Sequence, residues 1–142
     1  MKTMISVIFL CLLFSCGKSP LQLKKSNETS GIAGLESKKV FSSTNQSLFL
    51  NWLSPINSAE EGHALLIVKK NQFASDLPSD FKIFLWMPDM GHGSSPISVK
   101  KIGTGLYEFS QIYFIMDGFW QLKIQLKNGS TLLDEQIFEY NL

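Results

Sequence analysis

The chain has 142 residues, 44% of them hydrophobic, and a formal net charge of +1, which suits one globular domain. All 13 basic residues are lysine, set against 12 carboxylates. A near-neutral chain without arginine lacks both the electrostatic footprint and the preferred base reader of a nucleic-acid binder, so nucleic acid is excluded as a partner.

The N-terminus opens with Lys2, an apolar run from Met4 to Phe14, and Ser15-Cys16-Gly17. A short basic region, an apolar core and a small-residue cleavage site form a secretory signal, predicted over residues 1–15. The run is too short to span a bilayer, which needs roughly 20 apolar residues. Leu13-Phe14-Ser15-Cys16 resembles the lipobox of bacterial lipoproteins, with Phe14 bulkier than usual at its place. The resemblance implies diacylglycerol, carrying fatty acids such as palmitate, on Cys16, with cleavage before it and acylation of the new terminus. Both cysteines, Cys11 and Cys16, lie in this segment, so the mature chain has no partner for a disulfide and no thiol nucleophile. Gly17, in place of the aspartate that marks inner-membrane retention, makes the outer membrane the default destination. The expected location is the cell envelope, on the periplasmic face, held by lipid.

Residues 16–38 are rich in Gly, Ser, Lys and Asn and poor in aromatics, a composition that reads as a flexible tether. Residues 39–142 hold nearly all the aromatics and form the domain. Strands are predicted in order over Ser47–Leu53, Gly62–Lys69, Phe81–Met87, Ile97–Lys101, Leu106–Phe114, Phe119–Lys127 and Thr131–Tyr140. Phe81, Ile83, Leu85 and Met87 share one face by the period of two, and Pro88 closes that strand because it cannot donate to a ladder. Trp120, Leu122, Ile124 and Leu126 alternate with Gln121, Lys123, Gln125 and Lys127. Asn128-Gly129 supplies a tight hairpin turn to the last strand. About seven strands with no helical periodicity predict an antiparallel β-sandwich, with a small β-barrel as the alternative.

One loop carries distinctive chemistry: Trp86-Met87-Pro88-Asp89-Met90-Gly91-His92-Gly93. Soft thioethers select Cu(I), and imidazole accepts copper in either oxidation state. Gly91 and Gly93 let the backbone turn around His92. A structural reading stands beside this one. Met87 has the parity of a core residue, Met90 is a gap-filler type, and His92 serves equally well as a loop cap. Trp86 has the opposite parity, from which it could cover a cation.

With Pro96, Gly105-Leu106-Tyr107 and Met116-Asp117-Gly118-Phe119-Trp120, this loop resembles the YtkA-like domain. That family shows Met-Pro-x-Met-x-His, then Gly-x-Tyr, then Met-x-Gly-x-Trp. More distantly, the pattern is similar to the FixH accessory proteins of respiratory oxidases. The resemblance spans about residues 45–140 and implies an immunoglobulin-like sandwich, an outward-facing membrane-attached domain and a link to copper or heavy-metal handling. Carried over, Met87, Met90 and His92 fill the first motif and Met116 the second, giving a metal set of Met90, His92, Met116 and Met87. Pro88, Gly118 and Trp120 are structural, Trp120 as the buried tryptophan of the sandwich. No second histidine stands near Met116, which favours a labile Cu(I) site over a tight Cu(II) one.

No Gly-x-Ser-x-Gly elbow, phosphate loop or dinucleotide fingerprint is present, and Ser94, Ser95, Asp89 and Asp117 form no recognisable catalytic order. The expectation is a non-enzymatic envelope lipoprotein with no catalytic residues and no cofactor beyond Cu(I), attached to the membrane and serving a metal-handling or respiratory complex. The competing expectation is a protein-interaction domain in which the same residues only shape a loop.

Overall fold

The computed structural model describes residues 37–142. The signal over 1–15 and residues 16–36 of the expected tether lie outside the described residues, while the last two of its positions, Ser37 and Lys38, are strand, paired with Leu50 and Phe49. Ten strands follow in chain order: β1 (Ser37–Phe41), β2 (Gln46–Trp52), β3 (Gly62–Lys70), β4 (Phe73–Ala74), β5 (Phe81–Met87), β6 (His92–Gly93), β7 (Ser98–Gly103), β8 (Leu106–Ile112), β9 (Phe119–Asn128) and β10 (Thr131–Asn141).

They divide into two antiparallel sheets. One runs β1-β2-β3-β8-β7, with β4 added to β3, and the other runs β10-β9-β5-β6. Without β1, β4 and β6, the first sheet has the strand order A-B-E-D and the second G-F-C, which is the immunoglobulin constant-type arrangement. The barrel alternative falls because no ladder joins the two sheets.

Alternation along the strands makes the core. β2 buries Leu48, Leu50 and Trp52; β5 buries Ile83, Leu85 and Met87; β9 buries Trp120, Leu122, Ile124 and Leu126. In each case every second side chain turns inward and its neighbours turn to solvent. Gln46 is the one buried polar side chain among the described residues. It is satisfied: its amide donates to Ser75 Oγ at 3.0 Å and to the Asp76 carbonyl at 2.7 Å, and its oxygen accepts from Thr44 Oγ1 at 2.9 Å. Burial without partners would cost it free energy; here the bonds tie β2 to the segment after β4.

The last hairpin differs slightly from expectation. Thr131 pairs with Asn128, so the two-residue loop is Gly129-Ser130, one residue later than Asn-Gly would place it. Gly129 has φ 59° and Ser130 is not among the positive-φ residues, the signature of a turn that needs glycine only at its first central position.

Strand directions gather one set of connections at one end of the sandwich. Trp52 pairs with Ala64 and Gly62 with Ile112, Trp86 with Gln121, and Asn141 with Phe119. The β2–β3, β5–β6 and β8–β9 loops and the C-terminus therefore meet there. Ser37 pairs with Leu50, so the chain also enters the domain from that end.

Candidate metal centre at the loop end

Beneath these loops lies a chain of aromatic rings. Trp52 meets Tyr140 edge-on at 5.4 Å and Phe114 at 5.8 Å; Phe114 meets Trp120 at 5.8 Å; and the imidazole of His92 stands edge-on to Trp120 at 6.2 Å. Such tilted and edge-to-face contacts are the favoured ring geometries. His92 is the outermost member, half-buried on the aromatic floor.

Local chemistry places it there. Pro88 follows β5 and the chain reverses over Asp89 and Met90, with the amides of Met90 and Gly91 donating to the Met87 carbonyl at 3.3 and 2.9 Å. Gly91 has φ 67°, a left-handed conformation that glycine adopts without strain. The reversal brings His92 back opposite Met87 and Gly93 opposite Trp86. Cross-strand partners project on the same face, so His92 shares the inward side with Met87, whereas Trp86 lies on the outer face and does not cover it.

His92 Nδ1 lies 3.0 Å from the Gly93 carbonyl. A carbonyl oxygen only accepts, so this contact puts the hydrogen on Nδ1 and leaves the neutral ring's lone pair on Nε2. That is how metal-binding histidines are usually held, with one nitrogen fixed by a backbone acceptor and the other free to ligate.

The four methionine and histidine candidates separate by burial. Met87 is 5% exposed and belongs to the core cluster, whereas Met90 is 59% and Met116 40% exposed. The Met87 methyl lies where a Cβ on Gly118 would fall, and Gly118 has φ 137°. Gly118 is held on the other side by paired backbone bonds with Leu142, each 3.1 Å. The Trp120 indole donates to the Met116 carbonyl at 2.9 Å. The Met-Pro-x-Met-x-His and Met-x-Gly-x-Trp segments are thus one packed unit, joined by Met87 on Gly118 and by His92 on Trp120. Gly-x-Tyr serves another place. The Gly105 amide donates to Asp76 Oδ1 at 2.8 Å, and the buried Tyr107 hydroxyl accepts the Leu77 amide at 3.0 Å; both contacts shape the opposite half of the domain.

Sequence reasoning missed a neighbouring polar cluster. Glu61 accepts the Gln111 amide at 2.6 Å and the Tyr113 hydroxyl at 3.1 Å, with His63 Nε2 at 3.5 Å. The Gln111 amide above all, helped by the Tyr113 hydroxyl and His63, holds the Glu61 carboxyl below its ordinary range, although loss of hydration, the second-largest effect, works the other way. The bulge that aims the amide shows as φ 57° at Gln111 and as a register shift between Gly62 and Ala64. Nothing in the residue pattern announces a bulge. Ser58 donates to Asp117, and Ser94 to the Tyr113 carbonyl, which stitches the three loops into one surface.

A family model described as YtkA-like matches residues 53–125, 73 of the 142 residues. The chain belongs to the YtkA-like family. The matched span contains both halves of the packed unit. No curated protein and no solved structure shows significant similarity to the chain. As for a metal, among the described residues no group of three or more His, Cys, Asp or Glu side chains is placed to hold an ion. The donors this YtkA-like domain offers are one oriented imidazole and exposed thioethers, a set that fits a soft monovalent ion and not a hard divalent one.

Proposed function

We propose that the protein is a lipid-anchored accessory protein of the cell envelope whose loop end takes up and passes on Cu(I). His92 is the ligand held in place. Met90, two residues away, and Met116, whose carbonyl fixes the tryptophan under His92, are the mobile thioether ligands. Met87 packs the core and holds the turn from below. The observation that carries this reading is the orientation of His92, with Nδ1 on the Gly93 carbonyl and Nε2 left for a ligand.

Thioethers suit an oxidising compartment, because they neither need deprotonation to bind nor pair into disulfides. Exposed thioethers favour exchange over storage. Cu(I), when bound, would be the cargo; the chain's own part is to present the imidazole on a rigid aromatic floor.

The test is an anaerobic titration of the full chain with Cu(I) against a competing chelator. His92→Ala, and Met90→Ala with Met116→Ala, are each expected to weaken binding by about ten- to a hundredfold. The methionine pair should leave the unfolding midpoint nearly unchanged, because both thioethers are exposed, whereas His92→Ala should lower it modestly, because that ring packs on Trp120. If a Met90→Ala, His92→Ala variant competes for Cu(I) as well as the parent, the site lies elsewhere. The intact mass of the same preparation reads whether Cys16 carries lipid.

A further inference from the structure

Ten large apolar side chains stand exposed among the described residues, and five of them crowd the loop end: Leu53, Met90, Tyr113, Ile115 and Met116. Two thioethers would serve a metal; Leu53 at 55% and Ile115 at 55% exposure have no such use. Tips of this kind, standing off hydrogen-bonded loops, cost free energy in water and recover it only against an apolar phase.

We propose that the loop end docks on the surface of a zwitterionic bilayer, with Leu53 and Ile115 entering the interface. Two observations choose this occupant. First, Ser37 pairs with Leu50 at the end of the sandwich that bears these side chains, and the 36 residues before it carry the apolar run Met4–Phe14 and Cys16. The domain therefore joins the rest of its chain at this end. The connection from Cys16 to Ser37 reaches at most about 70 Å, so an anchored domain always finds the membrane at high local concentration, and a weak apolar contact suffices.

The second observation is charge. The loops at residues 53–61, 88–97 and 112–118 contain Glu60, Glu61, Asp89 and Asp117 and not one lysine. Carboxylates around the apolar tips repel an anionic surface and tolerate a zwitterionic one. The other end of the domain, with Phe73, Ile102, Leu132 and Leu133 exposed, has no chain leading to an anchor and serves as the internal control.

This inference rests on the lipid-anchor reading for what brings the domain to the bilayer, and not on the copper reading. The full chain, carrying an environment-sensitive fluorophore at Ile115→Cys or at Leu133→Cys, is reconstituted with phosphatidylcholine vesicles containing a lipid nitroxide quencher. Quenching is expected to be several-fold stronger at position 115 than at 133. Leu53→Ser should reduce it, and so should replacing part of the phosphatidylcholine by phosphatidylglycerol. Equal quenching at both positions, or stronger quenching at 133, overturns the proposal and leaves the loop end to a protein partner. An intact mass without acyl chains overturns the anchor and with it the docking that rests on it, whereas equal quenching in a chain that does carry acyl chains overturns the docking alone. Failure to dock with Cu(I) binding intact leaves the metal site standing.

Discussion

Gly118 shows how one residue without a side chain joins two motifs. Its φ of 137° lies where L side chains rarely go, and a Cβ there would overlap the Met87 methyl. Gly118→Ala is therefore expected to destabilise the domain by about 2 kcal/mol or more, combining backbone strain with overpacking. In a Met87→Ala background the added loss should shrink by about 1 kcal/mol, because the overlapping methyl is gone. Urea unfolding of the four proteins measures this; strict additivity would mean that the two residues do not meet. The residue types of the candidate centre were legible in the sequence, and so was the core parity of Met87. What the sequence could not show is that Met90 and Met116 end at the surface while Met87 ends beneath them. That depends on a turn one residue shorter or longer and on which neighbour fills the space at position 118.

At the scale of the elements, two glycines of nearly equal φ separate conformational freedom from close approach. Gly105 and Gly129 have φ 64° and 59°. A Cβ on Gly105 would stand 2.5 Å from the Val68 carbonyl oxygen and 2.8 Å from the Ser75 amide nitrogen, whereas one on Gly129 meets nothing within 4 Å. Gly129→Ala should cost about 1 kcal/mol, the strain of a left-handed alanine. Gly105→Ala should cost several times more, read as a lower denaturant midpoint or loss of the folded protein. Equal costs would remove the packing role given to Gly105. The seven strands expected from alternation all form, with ends displaced by no more than two residues. β4 and β6 escape sequence reading because two residues carry no period. β1 escapes because only Phe41 of its five residues is fully buried; it is held by the ladder to β2, with the Lys38 ammonium 5.7 Å from the Phe49 ring.

The whole molecule has a stability window bounded by groups in different layers. Burial raises the Tyr140 phenol to about 12, although the Trp52 indole, donating to it at 3.0 Å, works the other way. Because the folded value exceeds the ordinary 10, this contribution is complete below pH 10 and is lost as pH rises towards 12, of order 2 kcal/mol in all. On the acid side, the Lys101 ammonium and then the Gly105 amide hold Asp76 below its ordinary range, as the Gln111 amide does for Glu61. Their contributions are present above about pH 4 and lost on acidification. Denaturant midpoints across pH should fall at both limits, and Tyr140→Phe should flatten the alkaline limb alone. An unchanged limb would place the phenol in water.

By itself, the sequence determined an all-β fold, since a period of two repeated in seven segments buries its apolar faces only against other strands, in a sandwich or in a barrel. It also determined the chemistry available at the loop end, since side-chain donors are read directly from residue types. Only the tertiary structure decided that the strands part into two sheets instead of closing a barrel, because that choice rests on pairings between residues far apart in sequence. It alone set His92 on Trp120 with one nitrogen held, and turned the apolar loop tips, the motif and the chain's entry to the same end. Those placements follow from strand direction and from bulges, and neither leaves a periodic mark in the chain.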